Sequence, residues 1–290
     1  MQRNEMEKRR TLWRLTNAGL GLVVLTSWAC TVFKRSQLNL HLAEAVDKSD
    51  EARVQALLAT GADPNARNRR FYLSFEDTIR LTCHVGRPYH QQPTIQMSAA
   101  SSGNERILRD LLKAGGNVLE DEYERPALNF AVEASQHRNV ELLIQYGADV
   151  NGVGQPITPL IAASGPICNL EDCHALLGYG ADPNGRNREG ETPLMYATLR
   201  GNTQIIRTLL QAGAKVNLQD DRRETALRWA VDYGSLEAVT LLLQAGADAT
   251  LRDEDGKRVE HIALEMGQKP IAQLLRTYRL ERANRRSHHL

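Results

Sequence analysis

The sequence predicts an all-α solenoid of helix-turn-helix repeats with finger-like turns, preceded by one N-terminal hydrophobic helix. Three observations carry that prediction. The tripeptide Gly-Ala-Asp, or a near relative, begins at Gly61, Gly115, Gly147, Gly180, Gly213 and Gly246, at gaps of 54, 32, 33, 33 and 33 residues. A second marker stands 21 or 22 residues upstream of the later glycines, as Thr158-Pro159-Leu160, Thr192-Pro193-Leu194 and Thr225-Ala226-Leu227. Within a unit, apolar residues fall at helical spacing, as Leu194 and Ala197 do. Two independent markers sharing one period identify an array of repeats.

The clearest unit runs Gly190-Glu191-Thr192-Pro193-Leu194-Met195-Tyr196-Ala197, then Gly201, Ile205-Ile206, Leu209-Leu210 and Gly213-Ala214-Lys215-Val216-Asn217. Thr192 suits a helix start, and Pro193 the first helical turn, where a missing N–H costs nothing. Small Ala197 lets neighbouring units stack closely, and Gly201 and Gly213 suit helix ends that need positive φ. These residues resemble the ankyrin repeat family, and the resemblance implies a finger-like turn followed by two antiparallel helices in each unit. Seven units run at about 38–66, 94–118, 125–152, 156–185, 188–218, 221–251 and 254–278. The outer ones depart from the pattern. Leu40-His41-Leu42 and Thr94-Ile95-Gln96 replace the Thr-Pro-Leu element, and Glu260 stands where Leu belongs. Terminal units have one face without a neighbour and must tolerate water. The organisation expected is a basic stub and hydrophobic segment over 1–36, repeats over 37–278 with an insertion at 66–93, and a basic tail over 279–290.

With 290 residues, 36 Lys+Arg, 35 Asp+Glu and 4 Cys, the chain has a formal charge of +1. That balance argues against a dedicated nucleic-acid binder, an acidic tail protein and a disordered chain, and the few cysteines exclude a disulfide-built scaffold. The sum conceals a partition of +5 over 1–35, −8 over 36–275 and +4 over 276–290. The body is acidic and both ends are basic.

From Leu15 to Phe33 there are 19 residues without a charge, bracketed by Lys8-Arg9-Arg10 and Arg14 before and by Lys34-Arg35 after. As a helix this stretch would span about 28 Å, close to the hydrocarbon thickness of a bilayer. Thr16, Asn17, Thr26, Ser27 and Thr31 dilute it, leaving Ala18–Leu25 as the strongly apolar part. One reading is an uncleaved signal anchor with the repeats outside the cytoplasm, periplasmic if the source is Gram-negative. Another is a signal peptide cut after Ser27-Trp28-Ala29. A third is lipid attachment at Cys30 after the same cut, although Ser27 and Trp28 depart from what a lipoprotein box takes. A buried hydrophobic helix capping the fold is the fourth. The expectation adopted is the single-pass anchor.

The 54-residue gap exceeds one period by 21, which places an insertion within 66–93. It holds Arg67, Arg69, Arg70, Phe71, Tyr72, Phe75, Cys83, His84, Tyr89 and His90. Basic residues interleaved with aromatics suit a binding loop, or a surface insertion that packs Phe71 and Phe75 onto the solenoid. No Gly-rich phosphate loop, His-Glu-x-x-His or Gly-x-Ser-x-Gly motif occurs. Accordingly no catalytic residue, cofactor or metal is expected. Cys168, Cys173 and His174 lack the second ligand pair that zinc usually takes. In an extracytoplasmic body Cys168 and Cys173 are a candidate disulfide; otherwise they are two small buried residues.

Two positions after the marker Leu of each first helix, or its counterpart, stand Phe130, Ala162, Tyr196, Trp229 and Ile262, with Tyr233 one helical turn beyond Trp229. Equivalent positions stack along a solenoid, so these form a ladder on the inner side. The resemblance to ankyrin repeats makes the concave face and the finger tips the protein-binding surface, and aromatics are the commonest anchors of interfaces. The same position also suits an apolar side chain half-buried by the next repeat. Candidate partner contacts are Phe130, Tyr196, Trp229 and Tyr233 on that face, and Arg186, Arg188, Asp221, Arg222, Arg223 and Asp253 on the fingers. In the tail, Arg276, Arg279, Arg282, Arg285 and Arg286 line one side of a helix. They suit acidic lipid head groups, the C-terminal end of the last helix, or water.

The function implied by the resemblance is non-catalytic protein binding by a membrane-tethered or exported scaffold. It has a protein partner and takes neither nucleic acid nor a small-molecule substrate. One alternative is an inhibitor or immunity-type protein that neutralises a toxin or enzyme outside the cytoplasm, for which an acidic body suits a basic target. The other is an enzyme with its site in the insertion and His84 or His90 as base.

Overall fold

A computed structural model of the chain describes residues 33–67, 94–119, 121–122, 125–152, 156–165, 169–199 and 201–287. Among these residues fourteen helices form seven consecutive pairs. The first three pairs are α1 (33–47) with α2 (Glu51–Ala59), α3 (Ile95–Ser102) with α4 (Glu105–Lys113), and α5 (Ala127–Glu133) with α6 (His137–Gln145). Next come α7 (Pro159–Ser164) with α8 (Leu170–Gly178), and α9 (Pro193–Thr198) with α10 (Thr203–Gln211). The last two are α11 (Ala226–Asp232) with α12 (Leu236–Gln244), and α13 (Val259–Glu265) with α14 (Lys269–Ser287). From the second pair onward, first helices pack on the first helices of neighbouring pairs, and second helices pack on second helices throughout. The result is a linear stack with one continuous core.

Each start and stop has a local cause. Thr158, Thr192 and Thr225 cap α7, α9 and α11, their hydroxyls accepting from the N–H groups of Ile161, Met195 and Arg228 at 3.2, 3.5 and 3.3 Å. Pro159 and Pro193 occupy the first helical turn, as expected. The glycine that opens each Gly-Ala-Asp marker is left-handed, with φ between +89° and +96° from Gly61 to Gly246. A Cβ built on Gly213 would meet nothing within 4 Å, so what selects glycine there is the backbone conformation and not the space.

The remaining residues of the marker link one unit to the next. The Asp182 carboxylate accepts from the Asn184 N–H at 2.9 Å, and the Asn184 side-chain oxygen accepts from the Lys215 N–H of the following unit at 2.7 Å. Its amide donates to the Gly213 carbonyl at 3.2 Å. Asn65, Asn151 and Asn217 make the same cross-unit bond to Asn117, Asp182 and Asp248. In the second unit the equivalent position is Leu119, which has no oxygen to offer Asp149. One rung is therefore missing between the second and third units.

One finger adds a short extended pair to the all-α stack. Asp121–Glu122 (β1) and Arg125–Pro126 (β2) form a two-stranded antiparallel pair, with Asp121 opposite Pro126 and Glu122 opposite Arg125. Single bridges at Gln219↔Thr225 and Arg252↔Arg258 show the cause, because the base of a finger brings two extended segments together. The insertion leaves and re-enters through a similar neck. Arg67 bridges Thr94, and the Ile95 N–H donates to the Ala66 carbonyl at 3.0 Å.

The last helix runs on through the basic tail. Six second helices have nine residues each, whereas α14 has 19. Glu260, the residue that replaces Leu in the last unit, is 14% exposed and pairs with Arg279 of α14 at 3.1 Å. The extended helix supplies the cation that makes this carboxylate tolerable. No helix among the described residues is long and apolar enough to cross a membrane. The candidate anchor lies outside them except for Phe33, as do 68–93 of the insertion.

Candidate protein-interaction surface

The stacking of first helices places the predicted ladder in register, and each rung is closed differently. Phe130, Ala162 and Tyr196 are half-buried, while Trp229 is 8% exposed and Ile262 is buried. The Tyr196 and Trp229 rings have centroids 5.6 Å apart and planes tilted by 39°. Trp229 donates from Nε1 to the Asp220 carboxylate at 3.3 Å, which ties it to its own finger. The Tyr196 hydroxyl donates to Glu191 at 2.9 Å; burial, followed by Glu191 and Glu189, pushes its phenol pKa up. Tyr233, at the end of α11, is 58% exposed and is the aromatic of this group most available to a partner.

The fingers repeat one internal staple. Asn187, Asp220 and Asp253 stand 33 residues apart. Their side-chain oxygens accept from the N–H groups of Glu191, Glu224 and Lys257, each at 2.8 Å. Asp253 is consequently buried, and its second oxygen faces Arg228 Nε at 3.8 Å. Arg186 is exposed but braces two fingers, donating to the Gly190 carbonyl at 3.0 Å and to the Gln219 carbonyl. Arg188, Asp221, Arg222 and Arg223 are exposed on the tips, and Arg223 is held at φ +61°. Arg222 lies 3.4 Å from Glu224. The structure thus presents Tyr233 and four finger residues to solvent, while Trp229 and Asp253 work inside the framework. Cys173 is buried in α8, and Cys168, the other member of the candidate disulfide, lies outside the described residues.

Three features stand apart from those candidates. Arg228, 17% exposed, is surrounded by carboxylates: Glu224 and Asp253 at 3.7 and 3.8 Å, and Asp232 in direct contact. His137 Nδ1 lies 3.0 Å from the fully buried Asp172. Tyr146 and Tyr179, immediately before two of the marker glycines, are 38% and 45% exposed, and Leu119 is 63% exposed. The tyrosines' 33-residue spacing was visible in the sequence, but exposure was not.

With the solenoid in view, comparison with known families adds a match to "Ankyrin repeats (3 copies)" over residues 40–153 and 160–253, more than half of the chain. The chain belongs to the ankyrin repeat family. Such a domain is a protein–protein interaction module. No curated protein matches the chain.

Proposed function

We propose that the chain is a membrane-tethered ankyrin-repeat adaptor with its repeats outside the cytoplasm, holding a partner protein through its fingers and concave face. The observation that carries protein binding is the rigid, registered surface of the last repeats, with Tyr233, Arg188, Asp221, Arg222 and Arg223 presented on a framework already ordered before association. Tethering rests on the sequence alone. The uncharged stretch Leu15–Phe33 is flanked by basic residues and leads directly into α1 over 33–47. Short connection to the first repeat would hold the solenoid close to the bilayer.

Protease access in sealed membranes, read with intact mass, tests this placement. An uncleaved chain with repeats cut only from the non-cytoplasmic side is expected. A mature mass beginning at Cys30 with an added lipid would replace the anchor by a lipid attachment, and repeats cut only from the cytoplasmic side would refute export. Affinity purification from detergent-solubilised membranes tests the role. An adaptor should leave its partner active, whereas one stoichiometric enzyme that loses activity on binding would identify an inhibitor or immunity-type protein.

A further inference from the structure

The tyrosines before the marker glycines are not required by the turn that they occupy. Tyr146 and Tyr179 end α6 and α8 at φ −88°, and Ala212 and Ala245 end α10 and α12 at φ −76° and −77°. The same hydrogen bonds form at all four turns: the N–H groups of residues 146, 179, 212 and 245 each donate to the carbonyl four residues earlier, at 2.9 to 3.1 Å. Alanine therefore satisfies the backbone of this turn, and the partly exposed phenol ring is not what forms it. Leu119 is a parallel case. It stands where Asn65 and Asn184 reach the carbonyls of Gly115 and Gly213 in the following unit, so it lies over the turn that follows Tyr146. Leu119, Tyr146 and Tyr179 form an apolar stripe across the second, third and fourth units, at the junction of fingers and second helices.

Charge singles out the same units. Residues 94–185 carry twelve Asp or Glu against five Lys or Arg, whereas residues 186–275 carry thirteen against twelve. Asp149 and Asp182, three residues after the tyrosines, are exposed. Apolar anchors inside an acidic field suit a segment that combines apolar side chains with lysine or arginine, whose cations also stack on phenol rings. From this stripe and its charge we infer that units two to four form a second docking face for a basic, amphipathic segment of a partner protein. This rests on the protein-binding reading above and places a contact outside the inner face.

Binding of a fluorescein-labelled amphipathic peptide of leucine and lysine to the full chain, followed by anisotropy, tests it. The variant Leu119→Asn, Tyr146→Ala, Tyr179→Ala puts at each position a residue that the chain uses at its equivalents. Its expected effect is a loss of affinity of about tenfold or more, as when aromatic anchors leave an interface. The glutamate counterpart of the peptide should not bind, and added salt should weaken the lysine peptide. Unchanged affinity in this variant, with loss in Phe130→Ala, Tyr233→Ala, would overturn the stripe and leave inner-face binding standing. Failure of the lysine peptide to bind the wild-type chain would also overturn it. So would binding of zwitterionic lipid vesicles that the triple exchange abolishes, since the stripe would then be a membrane contact. If the triple variant loses its helical circular dichroism, Tyr179→Ala is read alone by the same criterion.

Discussion

Asp172 shows what one substitution within a repeat costs. Its carboxylate is fully buried, with one oxygen 3.0 Å from His137 Nδ1 and the other without a hydrogen-bond partner among the described residues. Burial pushes its pKa above the ordinary 3.8, and His137 offsets only part of that; the neighbouring Glu171 adds to the rise. The preceding repeat has Asn139 at the equivalent place, and its amide donates to the Ala99 and Ala100 carbonyls at 3.3 and 3.0 Å. A carboxylate cannot make that donation. Because the folded state holds the Asp172 proton more tightly than the unfolded chain, this group lowers stability as pH rises from 3.8 through its raised pKa, and the loss is complete above it. Asp172→Asn is expected to raise stability at pH 8 by about 1–2 kcal/mol, the scale of an unsatisfied buried polar group. Urea unfolding measures it, and a variant no more stable than wild type at pH 8 would refute the account. The sequence showed Asp172 only as one acid among many, because burial at that position depends on the neighbouring repeat.

At the scale of elements, the markers were legible because they are local chemistry. A hydroxyl at a helix start, proline in the first turn and a left-handed glycine at the end are all written within a few residues of the feature that they cause. Gly213→Ala should cost about 1–2 kcal/mol from its φ of +92° alone, since the added methyl meets nothing. Thermal denaturation reads this loss, and an unchanged midpoint would count against conformation as the cause. The missing rung predicts the opposite sign. Leu119→Asn supplies an acceptor for the Asp149 N–H and should add about 1 kcal/mol, seen as a shift of the urea midpoint at constant slope. The finger contacts were harder to read. Asn187, Asp220 and Asp253 resemble solvated turn residues in the sequence, and only folding brings their side chains back onto their own backbone. For the same reason Trp229 and Asp253, singled out as partner contacts, are enclosed instead.

Across the whole molecule, stability in a linear array is a sum of unit and interface contributions, and opening occurs in contiguous blocks. The weakest interface should be where the ladder lacks a rung. Amide exchange is expected to be faster over 33–67 and 94–119 than over 156–251, and Leu119→Asn should narrow the difference. Uniform protection along the stack would show that the ladder does not govern coupling. The charge partition also resolves at this scale. The near-neutral total hides a basic N-terminal stretch, acidic second to fourth units, nearly balanced later units and a basic terminal helix whose Arg279 is already committed to Glu260.

The neck formed by Arg67 and Thr94 has its own consequence. Since the two ends of the insertion already meet within one finger, the chain between them can lengthen or shorten without shifting the register of any helix. Doubling its length would cost only about 0.6 kcal/mol in closure entropy. This finger is thus a grafting point, where a foreign peptide or a small domain can be spliced in and carried by the array as cargo.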